Sequence, residues 1–101
     1  MERLIIEDCV RLTINDGLTA NNVAAFNQAV TQLLPDDDLF NALVLDISNT
    51  DQIDSVGVTF VISLFKQMKN KNKQFKVAGV SEDVEHLFRL MKLDQFFTLE
   101  P

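Results

Sequence analysis

Apolar positions repeat with two different periods along this chain, and the change of period marks out its elements. Leu4–Ile6 and Cys9–Ile14 are short apolar-rich stretches, and the second alternates Val10, Leu12 and Ile14 against Arg11 and Thr13, which is strand periodicity. The pair predicts an N-terminal hairpin with Glu7 and Asp8 near its turn. Asn15, Asp16 and Gly17 then signal a turn. Val23, Phe26, Val30, Leu33 and Leu34 recur at helical spacing until Pro35, with Asn21 or Asn22 expected as the N-cap.

The pattern continues in the same alternation. Ala42–Ile47 is a compact apolar run broken only by Asp46, as in a central strand covered on at least one face. After a connection over Ser48–Asp54, Val58, Val61, Ile62, Phe65 and Met68 mark a second helix, which gives way to the polar run Lys69–Gln74. Phe75–Val80 reads as a further strand. Ser81 is placed to cap a third helix with Val84, Leu87, Phe88 and Met91 on its apolar face, and Phe96–Leu99 as a last short strand. Strands alternating with helices of this length predict an α/β fold: a mostly parallel sheet of four to five strands with right-handed crossovers and an antiparallel hairpin at its edge.

Composition narrows the function classes. The chain has 101 residues, 47% of them hydrophobic, which suits one domain with one core over residues 1–101. Its formal net charge of -6 argues against nucleic acid and anionic membrane surfaces, both of which reward Lys and Arg patches, and points to a protein partner. Glu2, Arg3, Glu7 and Asp8 interrupt any secretory apolar core, and no stretch approaches the roughly 18 apolar residues of a membrane span. With Cys9 as the sole cysteine, no intramolecular disulfide can form, so the expected location is a reducing cytoplasm. Trp and Tyr are absent, which removes the usual stacking platforms for bases and sugars.

Little in the sequence supports catalysis. His86 is the only histidine and neighbours Glu85 on the third helix, where it reads as a surface residue. One His, one Cys and scattered carboxylates make neither a metal cage nor a Ser-His-Asp triad, so no enzyme activity, metal or cofactor is expected. Asp36, Asp37 and Asp38 read as a solvated acidic loop, and Lys66, Lys69, Lys71 and Lys73 as a solvated helix end.

The informative stretch is Asp54-Ser55-Val56-Gly57-Val58, where a strand-to-helix connection falls at the carboxyl end of the central strand, the end at which open α/β sheets gather function. On local rules Ser55 reads as a helix N-cap, with Gly57 easing the turn and Asp54 favouring the helix start. A hydroxyl beside the free N–H groups of a helix start can also carry or contact an anion.

The wider arrangement adds to this. The segment from Ala42 to Phe97, with its apolar strand, Asp54-Ser55-Val56-Gly57-Val58, the Lys-rich turn, the strand Phe75–Val80, Leu87-Phe88-Arg89-Leu90 and the closing Leu93–Phe97, resembles the STAS domain of anti-sigma factor antagonists. That family's motif is Asp, a phosphorylatable Ser or Thr, a small residue, Gly and an aliphatic residue, and each position is filled here. In the first loop, Thr19 stands where the family usually has Asp, after Asp16, Gly17 and Leu18.

The resemblance implies partner switching. Unphosphorylated at Ser55, such a domain binds a GHKL-type anti-sigma factor serine kinase, phosphorylation of Ser55 releases it, and a PP2C-type phosphatase resets it. Partner contacts would come from Asp54, Ser55, Val56, Gly57, Val58 and Thr19. It would involve no nucleic acid and no membrane insertion. The alternative the same family implies is a STAS accessory subunit of a lipid or small-ligand transport system, in which Ser55 is never phosphorylated.

Overall fold

A computed structural model describes residues 1–101. The hairpin forms as the alternation predicts: β1 (Glu2–Ile6) pairs antiparallel with β2 (Cys9–Thr13) in the register Ile6↔Cys9, Ile5↔Val10, Leu4↔Arg11. A two-residue turn joins them, with Glu7 at φ 56°. Ile14 lies just beyond β2, yet it continues the ladder by donating its N–H to Asp46 O at 3.0 Å.

Three strand–helix–strand units follow. They are built from α1 (Ala20–Leu33), β3 (Ala42–Asp46), α2 (Ser55–Asn70), β4 (Gln74–Ala78), α3 (Glu82–Leu90) and the two-residue β5 (Thr98–Leu99). The sheet order is β1-β2-β3-β4-β5, and every pair after the hairpin is parallel. Because each crossover advances one strand in the same direction, right-handed connections carry all three helices to one face of the sheet.

Side-chain alternation records that asymmetry. Val10 and Leu12 of β2, Leu43 and Leu45 of β3, and Phe75 and Val77 of β4 point under the helices into a core shared with Val58, Val61, Leu64 and Met68 of α2. Complete burial of one such aliphatic side chain contributes about 1.5–3 kcal/mol. Residues between them face the other side, where Arg11 on β2 reaches Asp46 on β3 at 2.8 Å. Lys76 on β4 pairs with Glu100 at 2.9 Å on the same open face. Burial pushes the Asp46 carboxyl up, but the Ser48 N–H and hydroxyl and the Arg11 guanidinium outweigh it and hold Asp46 below the usual carboxylate range.

Several expectations shift. Asn21 and Asn22 do not cap α1, because the helix begins at Ala20 and places both inside its first turn; Thr19 is the N-cap and makes no side-chain cap bond. Asn22 instead donates its amide to Gly17 O at 2.8 Å. Ser81 caps α3 as expected, its hydroxyl accepting from the Val84 N–H at 3.3 Å. The last strand is confined to Thr98–Leu99. Phe97 is instead drawn into the core against the rings of Phe65, Phe75 and Phe88, with centroids 5.4, 5.3 and 6.4 Å away.

The acidic loop and the lysine-rich helix end are also more than solvated charge. Lys71 pairs with Asp37 at 3.0 Å. Lys73 donates to the carbonyls of Asp37 and Phe40 and lies 4.1 Å from the centre of the Phe40 ring. The two lysines therefore tie the end of α2 to the segment that leads into β3.

Candidate functional site

Adjacent parallel strands send their carboxyl ends to the same edge of the molecule, so the β2–α1 and β3–α2 loops meet there. They join by a single parallel bridge, Leu18↔Ile53. The Leu18 N–H donates to Gln52 O at 2.8 Å, and the Asp54 N–H returns to Leu18 O at 3.3 Å.

Asp54 fastens this junction. It is the N-cap of α2, with one carboxylate oxygen accepting the Gly57 N–H at 2.9 Å. The other oxygen accepts the Ala20 N–H at 2.9 Å, so one side chain supplies acceptors to the starts of two helices. The Ala20 N–H first, then the Gly57 N–H, hold this carboxyl below the usual range. A negative charge at two helix N-termini is electrostatically favourable for the same reason.

Ser55 is therefore not the cap that local rules favour. The Asp54 side chain already occupies that position, and Ser55 becomes the first residue of α2, exposed, with its backbone carbonyl accepting from the Thr59 hydroxyl at 2.9 Å. Its own hydroxyl is left to face solvent.

The other residues of the motif divide by depth. Val56 is 41% exposed beside Ser55, whereas Val58 is buried in the core. Gly57 is buried for a steric reason: a Cβ there would lie 1.9 Å from Leu18 O and 2.8 Å from Leu18 C. Gly57 and Val58 thus hold the surface from beneath, while Asp54, Ser55 and Val56 form it. Thr19, half-buried, stands across the junction at the start of α1.

A cleft of about 710 Å³ runs from Thr19 and Asn21 past Asp51 and Asp54 to Ser81 and Asp83. The last two come from the start of α3, which the sheet order delivers to this edge. Sequence reasoning missed Asp51, Ser81 and Asp83 as neighbours of the motif. The only signal available was the strand order itself, which sets consecutive helix starts side by side. Three helix N-termini and three carboxylates share this end, and Asp54 and Ser81 already accept the N–H groups of Ala20, Gly57 and Val84 there.

The sequence model of the STAS domain family matches residues 1–101. The chain belongs to the STAS domain family. Solved structures share its fold at low identity. A candidate anti-sigma factor antagonist from Thermotoga maritima superposes with a TM-score of 0.88 at 23% identity, covering 99% of this chain and 85% of that one. An anti-sigma factor antagonist from Mycobacterium paratuberculosis gives 0.83 at 20% identity, covering 99% and 83%. The murine anion transporter Slc26a9 gives 0.78 at 18% identity, with 92% of this chain matching 15% of the transporter. The fold therefore occurs both in small proteins and in one part of a large transporter. No helix of this chain is long and apolar enough to cross a membrane.

Proposed function

We propose that this STAS domain is a cytoplasmic phospho-switch of the anti-sigma factor antagonist kind, with Ser55 as the phosphoacceptor. In this reading the unphosphorylated surface of Thr19, Asp54, Ser55 and Val56 binds a GHKL-type serine kinase that also holds a sigma factor. The Ser55 oxygen takes the γ-phosphoryl group of ATP, ADP leaves, and the hydroxyl proton passes to a base of the kinase. A PP2C-type phosphatase hydrolyses the phosphoserine and restores the binding form.

The observation that carries the reading is that Asp54, rather than Ser55, caps α2, which leaves an exposed serine hydroxyl at the first turn of a helix with its fold already secured. Phosphate adds about -1.5 to -2 charge at neutral pH. Within the free domain the phosphate projects from the first turn of α2, where the helix dipole favours negative charge, so the fold tolerates it. Against a partner, the dianion stands next in sequence to Asp54, whose cleft also holds Asp51 and Asp83, and it must lose its water to be covered. Each 1.4 kcal/mol of that cost lowers affinity about tenfold, so one phosphate suffices to dissolve the complex.

The likeness to part of an anion transporter supports a second reading, a transport accessory domain that is never phosphorylated. Intact-mass measurement of the chain after incubation with a GHKL-type anti-sigma factor kinase and ATP separates the two: one phosphate, located on Ser55 and absent from Ser55→Ala, is expected of the switch. An unmodified mass with an active kinase is expected of the transport domain.

A further inference from the structure

β1 forms one edge of the sheet, with β2 on its inner side and no strand on its outer side. The two-residue turn closes on Ile6↔Cys9 as a hydrogen-bonded pair, and antiparallel alternation then turns the N–H and C=O groups of Ile5 and Arg3 away from β2. Edge strands are ordinarily protected by lysine, proline, a bulge or a covering loop. β1 has none of these along Leu4, Ile5 and Ile6, which are 54%, 43% and 63% exposed.

Consecutive strand residues point to opposite faces, so these three apolar side chains flank the edge above and below. A helix or loop laid on one face would cover only Leu4 and Ile6, or only Ile5. An added strand covers both sets and also satisfies the outward backbone groups.

The sequence of β1 is complementary to itself in one register. With a two-fold axis through Ile5, Ile5 opposes Ile5 of the second copy and Leu4 opposes Ile6 of the second copy. Apolar residues meet apolar ones, the outward groups of Ile5 become the central hydrogen-bonded pair, and Arg3, which donates to Leu33 O at 2.9 Å within its own chain, lies outside the match. An axis through Leu4 would set Arg3 against Ile5 and Glu2 against Ile6 and lose the apolar match.

We propose that β1 is a self-association edge, at which two copies of this chain pair antiparallel about a two-fold axis through Ile5 and join their five-stranded sheets edge to edge. The Ser55 end, built from the loops after β2, β3 and β4, takes no part, so the proposal stands independently of the phospho-switch.

Sedimentation velocity of the full chain tests it, with circular dichroism confirming that each variant is folded. A short edge buries less surface than a standard interface, so a reversible monomer–dimer equilibrium is expected between about 1 and 300 µM. Ile5→Lys sets two ammonium groups against each other at the axis and weakens the dimer roughly five- to tenfold. In a Cys9→Ser background, Ile5→Cys cross-links under mild oxidation, because a hydrogen-bonded antiparallel pair sets its Cα atoms about 5.5 Å apart. Leu4→Cys, which faces Ile6, cross-links far less. A monomer at every concentration, an Ile5→Lys variant that associates as tightly as the parent, or Leu4→Cys cross-linking as readily as Ile5→Cys would overturn the proposal.

Discussion

Gly57→Ala places one methyl group where the two loops of the site touch, and its consequence can be worked through from the structure. By helix propensity alone, alanine is favoured over glycine by about 0.8–1.0 kcal/mol in a helix interior, so without steric conflict the variant would be more stable. The added Cβ, however, would lie 1.9 Å from Leu18 O, against 3.4 Å or more for an ordinary contact. Leu18 or the first turn of α2 must retreat by about 1.5 Å.

Leu18 is held at both ends, by its N–H to Gln52 O and by the Asp54 N–H to its carbonyl. Overpacking of this kind typically costs about 1–3 kcal/mol. The two backbone bonds that a retreat would strain contribute about 0.5–1.5 kcal/mol each. After subtracting the propensity gain, the expected net loss is about 1–5 kcal/mol. For a domain of this size each kcal/mol lowers Tm by about 4–8 °C, so a fall of roughly 4–40 °C is expected. The chain has no Trp or Tyr, so thermal unfolding is best followed by far-ultraviolet circular dichroism. A Tm equal to or above that of the parent would refute the reasoning, because it would mean that the junction yields without cost.

Three further outcomes are expected. The Asp54 pKa is lowered on folding, so the unfolded chain binds more protons at acid pH; its contribution is complete above the unfolded value near 3.8 and is lost as pH falls through the lower folded value. Urea titrations from about pH 6 down to pH 2 should therefore show stability falling with acid, and less steeply in Asp54→Asn, whose single acceptor oxygen can serve only one of the two helices. Equal slopes would contradict the double cap. Phe97→Ala removes a buried ring in contact with three others and should cost about 3–5 kcal/mol in chemical denaturation, whereas a loss under about 1 kcal/mol would place Phe97 outside the core. Asp46→Ala strands the Arg11 guanidinium and the Ser48 N–H on the open face of the sheet. Both retain access to water, so the expected loss is about 1–2 kcal/mol, and an unchanged urea midpoint would show that this pair is idle.

What the sequence discloses and what it hides differ in range. The hairpin turn, the alternation of strands and helices and the Ser81 cap depend on residues within four positions of one another, which periodicity and capping rules describe. The second role of Asp54 depends on Ala20, 34 positions away, and no local rule reaches it. The same gap explains the misplaced caps: Asn21 and Asn22 look suitable only until Asp54 is seen to serve the start of α1, and Ser55 only until Asp54 is seen to occupy the cap of α2. Gly57 was legible as a residue of the motif but not as the point where a backbone carbonyl approaches. Phe97 carries the apolar character of a strand residue, yet the space among three other rings draws it inward before β5 begins. Lys73 looks like surface charge, yet its chain length lets it reach two carbonyls across the end of α2.

The central claim is that phosphate on Ser55 decides whether the surface of Thr19, Asp54 and Val56 can be covered. Its most direct test compares Ser55→Ala, Ser55→Glu and the parent chain, each immobilised at equal density, in recovering a GHKL-type kinase from lysate of the native host, with the phosphate on the parent located by peptide mass. The account predicts strong recovery by Ser55→Ala, at least tenfold less by Ser55→Glu, and a parent chain whose recovery falls as its Ser55 phosphate rises. Equal recovery by all three forms, or a parent chain with no phosphate on Ser55 when the kinase is active, would contradict it.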